Sequence, residues 1–147
     1  MNTTFLRRVL ATDQGLAALA LRLPVGLIFI AHGAQKLFGW FGGHGLEGTG
    51  QFFGSMGLHP GYVMALLAGS AEFFGGLALT VGLLVRPAAA ALAFAMLVAI
   101  LTVHLSHGFF LDQGGYEYAL ALWAAALSLL FSGGGRWSLD RAITAER

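Results

Sequence analysis

The sequence predicts an all-α protein of the polytopic membrane type, a four-helix bundle with a short interfacial helix in its first outer loop. Three observations carry this expectation. Hydrophobic residues make up 57% of the 147 positions and charged residues only 10%, against about 25% charged in an ordinary soluble domain. Four apolar stretches approach the roughly 20 residues that a bilayer-crossing helix needs. The basic residues fall in alternate connecting segments, as they do in a chain threaded repeatedly through a membrane.

The spans can be placed in order. The first runs from about residue 16 to 38 and the second from about 62 to 84. Arg86-Pro87 then breaks the pattern, because a proline ring cannot continue a helix interior but suits a first turn. The third span covers about 87 to 107 and the fourth about 116 to 131. The fourth is short for a full crossing, with Tyr116, Tyr118 and Trp137 as interfacial anchors. Between the first two spans lies a glycine-rich segment from Gly39 to Gly61, too long for a tight turn. Within it, Glu47 to Leu58 carries Phe52, Phe53 and Met56 at helical spacing. That pattern predicts a short helix on the membrane surface or folded back over the bundle, with a plain flexible loop as the alternative. Residues 1–147 are expected to form a single transmembrane domain. Arg7 and Arg8 ahead of Ala18-Leu19-Ala20 have the outline of a secretory signal, but Asp13 and Gln14 interrupt the run and hydrophobicity continues past the cleavage point, which argues against removal.

Orientation follows from charge. Arg7, Arg8, Arg86, Arg136, Arg141 and Arg147 fall on one side of a four-span topology, whereas Lys36 falls on the other with Glu47 and Asp112. Basic loops stay inside, so both termini are expected in the cytoplasm. A net charge of +1 provides no field for nucleic acid. The absence of cysteine excludes disulfides, thiolate metal sites and thiol redox chemistry. No nucleotide-binding loop or nucleophile motif occurs, and the glycines of the first loop do not follow a strand.

Ionisable groups inside the spans are the functional signal. A charge at the bilayer centre costs about 2.5–3.5 kcal/mol, so Arg22, Glu72, Lys36 and Glu117 are expected to face inward and find partners. His32, Gln35 and Lys36 share a helix face, and His104 and His107 are three residues apart. Every one of these except Arg22 falls in the outer half of the bundle, where Glu72 lies roughly 15 Å below the outer end of its span. One polar cluster is therefore expected there, walled by aromatic residues such as Phe29, Phe73 and Phe109. A plainer reading stands beside each group: Arg22 with Glu72 as a packing ion pair, Lys36 as a headgroup snorkel, the histidines as partners of carboxylates. The two histidines could chelate a metal with a third ligand, but metal is not the expected occupant. A histidine beside a carboxylate in a dry pocket can pass protons, which the reduction or oxidation of a membrane quinone requires.

These residues also carry a family resemblance. Arg22-Leu-Pro-Val-Gly with His32-Gly-Ala-Gln-Lys36-Leu resembles the first span of the DoxX family, and Gly69-Ser-Ala-Glu72 with Gly75-Gly76 its second. Gly82-Leu-Leu-Val-Arg86 resembles its cytoplasmic turn, His104 with Gly108-Phe109 the end of its third span, Gly115-Tyr-Glu117-Tyr-Ala-Leu the start of its fourth, and Ser138-Leu-Asp140 its tail. The resemblance covers about residues 16 to 141 and implies a four-helix protein of the cell inner membrane with both termini inside. Its members are associated with quinol-oxidase, thiosulfate:quinone oxidoreductase and oxidative-stress systems, so activity transfers less well than fold. The leading expectation is an accessory subunit of a quinone-linked oxidoreductase, with the lipid bilayer, a quinone and a redox partner protein as its contacts and a homodimer compatible with its glycine-rich faces. Glu72, His104 and Glu117 are the candidate catalytic residues, and Arg22, His32, Lys36 and His107 the candidate substrate-binding ones. The rivals are a non-enzymatic membrane scaffold or chaperone and, third, a small transporter.

Overall fold

A computed structural model describes residues 8–12 and 15–145. Arg7, Asp13, Gln14 and Arg147, which entered the orientation and signal arguments, lie outside the described residues. Those described form helices and turns with no strand. The helices are α1 Ala17–Phe38, α2 Gly45–Ser55, α3 Gly61–Val81, α4 Val85–Ala99, α5 Glu117–Ser132 and α6 Leu139–Ala145. α4 is prolonged by a π-helical turn, Ile100–His104, and a 3-10 turn, Leu105–His107.

Glycine sets the helix ends. α1 stops at Gly39 (φ 71°) and α3 at Gly82 (φ 74°), both left-handed. The Gly82 N–H turns back to the carbonyls of Ala78 and Leu79, a C-terminal cap that satisfies carbonyls the helix itself leaves open. α3 therefore ends three residues before the expected Leu84, and α4 begins at Val85, two before Pro87. The short helix of the first loop is present, shifted toward the N-terminus to Gly45–Ser55.

Three helical stretches are long and apolar enough to cross a bilayer: Ala17–Phe38, Gly61–Val81 and Val85–His107. The 16 residues of α5 give about 24 Å of helix against a hydrocarbon core of about 30 Å. α5 packs lengthwise on α4, burying Ala119, Leu122, Ala126 and Leu129. The exposed large hydrophobics, among them Leu27, Leu67, Phe94, Leu101 and Phe131, suit contact with lipid and would be a liability in water.

The closest helix pair, α1 with α3, is built on glycine. A Cβ on Gly26 would lie 2.9 Å from the Gly76 carbonyl, and one on Gly76 would lie 2.7 Å from the Gly26 carbonyl. Gly33 faces the Phe73 backbone just as tightly, at 2.7 Å from its Cα. In lipid, where apolar side chains gain little by leaving the solvent, such backbone proximity is what holds helices together. It also brings side chains on the two helices within ion-pair range.

Gly33→Ala should therefore destabilise the bundle by about 1–3 kcal/mol through overpacking, read as a lower unfolding temperature of the detergent-solubilised protein. Gly54→Ala is the control. Its added methyl would meet only His59, at 3.9 Å, so it should be neutral or stabilising by up to about 1 kcal/mol.

Candidate functional site

Lys36 on α1 and Glu72 on α3 meet where that glycine-lined interface approaches the first loop. Lys36 Nζ donates to Glu72 Oε2 at 2.6 Å. Glu72 is 4% exposed, and Lys36 is its ion-pair partner. Gly69, one turn before Glu72 on α3, makes room for the Lys36 and Leu37 side chains: a Cβ there would sit 3.2 Å from the Lys36 Cβ. His32 lies one turn back from Lys36 on α1. Its ring centroid lies 6.2 Å from that of Tyr118 on α5. Three helices thus contribute to one polar junction. Lys36 also borders a cleft of about 260 Å³ between the end of α1 and α2, bounded by Gln35, His44, Thr49, Phe52 and Phe53. The plain snorkel reading of Lys36 is replaced by a specific ion pair.

His104, His107 and Glu117 have different immediate partners. His104 Nδ1 is 2.8 Å from the Gly114 carbonyl, and His107 Nδ1 is 2.9 Å from the Val103 carbonyl. A carbonyl only accepts, so each ring nitrogen donates. Glu117 Oε1 accepts the Leu111 N–H at 2.7 Å. The loop also closes on itself through Tyr116 N–H to Gly108 O and Glu117 N–H to Phe109 O. These side chains satisfy loop backbone at the membrane edge, where an unpaired N–H or C=O is costly. No hydrogen bond or ion pair joins either His104 or Glu117 to Glu72 among the described residues, so the expected trio is not assembled by direct contact.

Arg22 requires a correction. It was expected to pair with Glu72 as a packing ion pair or to help bind the substrate. Instead it lies about 21 Å along α1 from Lys36 and is buried at the opposite, arginine-rich end of the bundle. Its guanidinium donates to four carbonyls: Nε to Gly134 at 2.9 Å, Nη1 to Leu79 at 2.9 Å and Thr80 at 2.6 Å, and Nη2 to Trp137 at 2.8 Å. The carbonyls of Leu79 and Thr80 belong to the last turn of α3, where the helix dipole favours a cation. Sequence reasoning missed its counterpart, Asp140. That carboxylate is 1% exposed and accepts the N–H groups of Leu84 at 2.7 Å and Val85 at 2.9 Å, capping the start of α4. Burial pushes the Asp140 carboxyl up, while the Val85 and Leu84 hydrogen bonds and the Arg22 charge pull it back down. The motif Ser138-Leu-Asp140 was the one available signal, and it carried no role of its own.

Among the described residues, no three His, Asp or Glu side chains come together as a potential metal site.

Fold and polar junction together define a small α-helical membrane protein with a buried ion pair between its first and third helices. The DoxX family model matches residues 17–105, and the chain belongs to that family. It is 34% identical over 114 residues to the Bacillus subtilis (strain 168) protein named "Putative oxidoreductase CatD", covering 78% of each chain. It is 32% identical over 150 residues to the "Uncharacterized membrane protein Rv3486" of Mycobacterium tuberculosis (strain ATCC 25618 / H37Rv), covering 93% of this chain and 87% of the relative. No solved structure matches the chain.

Removing one partner of a buried pair strands the other, at about 3–5 kcal/mol. Glu72→Ala should fall at the low end of that range, because the Lys36 side chain is 22% exposed and can turn toward water. The double variant Lys36→Met/Glu72→Met should recover most of the loss in the same unfolding assay. A double variant no more stable than Glu72→Ala would show that the pair is not coupled.

Proposed function

We propose that the protein is an accessory subunit of a quinone-linked oxidoreductase in the cell inner membrane. In this reading Glu72 is the proton-handling residue, and Lys36 and His32 bind and orient the quinone head group. The observation that carries it is the Lys36–Glu72 pair at 2.6 Å beside an open cleft, with His32 one turn back from Lys36 on the same helix. A carboxylate whose ion-pair partner is a lysine responds to anything that draws the lysine away. A quinone carbonyl accepting a hydrogen bond from Lys36 would weaken its hold on Glu72 and favour proton uptake by the carboxylate. Proton and ligand are thereby linked through one side chain. The two electrons of quinone reduction would come from a redox partner protein, since this chain's own residues supply proton and positioning chemistry. The name of the Bacillus subtilis relative favours oxidoreductase chemistry over the scaffold reading.

In the proposed topology both termini are cytoplasmic. Ala11, Gly15, Leu130 and the Arg86 turn meet at one end, where Arg86 donates to the Ala11 and Leu130 carbonyls and the Arg136 N–H donates to the Gly15 carbonyl. Arg86, Arg136 and Arg141 gather there, opposite Lys36, Glu47 and Asp112, and the positive-inside rule makes that end cytoplasmic. The Lys36–Glu72 junction then lies toward the outer face. His104, His107 and Glu117 bond the backbone around the loop between α4 and α5, and this reading gives them no proton-handling role. Arg22 holds the cytoplasmic end together.

Membranes carrying Glu72→Gln, normalised to the amount of folded protein, should lose quinone-dependent electron transfer by about 100-fold or more, the usual range for a lost proton-transfer group. Full turnover with normal abundance in that variant would overturn the reading.

A further inference from the structure

The cleft beside Lys36 has a second feature that the ion pair does not use. Thr49, on α2, is 8% exposed and borders the cleft. Threonines in the spanning helices bond their own helix: Thr80 Oγ1 donates to the Gly76 carbonyl at 2.9 Å and Thr102 Oγ1 to the Val98 carbonyl at 2.8 Å. The Thr49 hydroxyl has no hydrogen-bond partner among the described residues, yet no unpaired polar side-chain atom is sealed from solvent. Its oxygen is therefore reachable from outside, on a residue that borders the cleft. An almost buried, unpaired hydroxyl costs free energy unless a ligand or water completes it.

Charge narrows the class of ligand. Lys36 is the one lysine or arginine on the cleft wall, and Glu72 neutralises it. Of the three ammonium N–H groups, only one is engaged. With histidine counted as neutral at pH 7, His44 included, the walls thus offer hydrogen-bond donors without net charge, beside the rings of Phe52 and Phe53. A free anion would find no excess positive charge, whereas a flat neutral ring bearing carbonyl acceptors meets both donors and aromatic walls. At about 260 Å³ the cleft is below the size of typical drug-sized sites, which suits a ring whose tail continues into lipid.

We infer that the cleft between α2 and the end of α1 is the head-group site for a neutral quinone-type ring, with the Thr49 hydroxyl and the Lys36 ammonium as its two hydrogen-bonding positions. This rests on the quinone-linked reading and gives it a place and a positioning residue, Thr49. The test is equilibrium binding of decylubiquinone to the detergent-solubilised full-length protein. Thr49→Val should raise Kd about 3- to 10-fold, the effect of one lost hydrogen bond, and Thr49→Ser should restore binding. Sulfate at millimolar concentration should not displace the quinone. Unchanged affinity in Thr49→Val, or displacement by sulfate, would overturn the site; if turnover still depended on Glu72, the broader reading would survive. Failure of the native protein to bind decylubiquinone at all would overturn both. A Thr49→Val protein that does not fold leaves the decision to Thr49→Ser, which must match the native Kd.

Discussion

Hydrocarbon does not solvate charge, so each ionisable group in a spanning helix must be answered by another part of the protein. That constraint organises this bundle at both ends. At one, Lys36 answers Glu72 across the glycine-lined interface of α1 and α3. At the other, four carbonyls answer Arg22 and two backbone N–H groups answer Asp140. The two arrangements differ in what they leave open. The Arg22–Asp140 end is sealed, with both side chains 1% exposed and their hydrogen bonds directed at fixed backbone. The Lys36–Glu72 end borders a cleft and keeps donors in reserve. A sealed network suits structural fixation, and an open one suits ligand exchange.

The glycines give this arrangement its geometry. Gly26, Gly33, Gly69 and Gly76 bring α1 and α3 together closely enough for a lysine on one to reach a carboxylate on the other. The same closeness explains why the two helices tolerate polar residues mid-span. Their polar faces are turned to each other, and the large exposed hydrophobics line the outside. α2, beside the end of α1, makes Lys36 of the ion pair part of the wall of a cavity.

Much of the architecture was legible in the sequence, because long apolar runs and the breaks between them are local signals. The glycine at 82 and the proline at 87 marked the turn between α3 and α4 to within three residues. The spacing of Phe52, Phe53 and Met56 was enough to expect α2. The site was less legible. Glu72 had to find a partner, and the sequence suggested Arg22; the packing of Gly69 against Lys36 gives it Lys36 instead. Asp140 was unreadable as a cap because its partners, Leu84 and Val85, lie more than fifty residues away and are backbone groups with no side-chain signature. For the same reason His104 and Glu117 looked free to join a catalytic cluster: the carbonyl and N–H groups of their own loop leave no trace in the spacing of polar residues.

The claim beneath all of this is that Lys36 and Glu72 form a direct pair in the bilayer. Solid-state NMR dipolar recoupling between a 15N-labelled Lys36 ammonium and a 13C-labelled Glu72 carboxyl, on protein reconstituted in lipid, measures it most directly. A strong coupling corresponding to ion-pair contact, with the nitrogen within about 4 Å of a carboxylate oxygen, is the predicted result. Absence of measurable coupling in the folded protein would contradict the account.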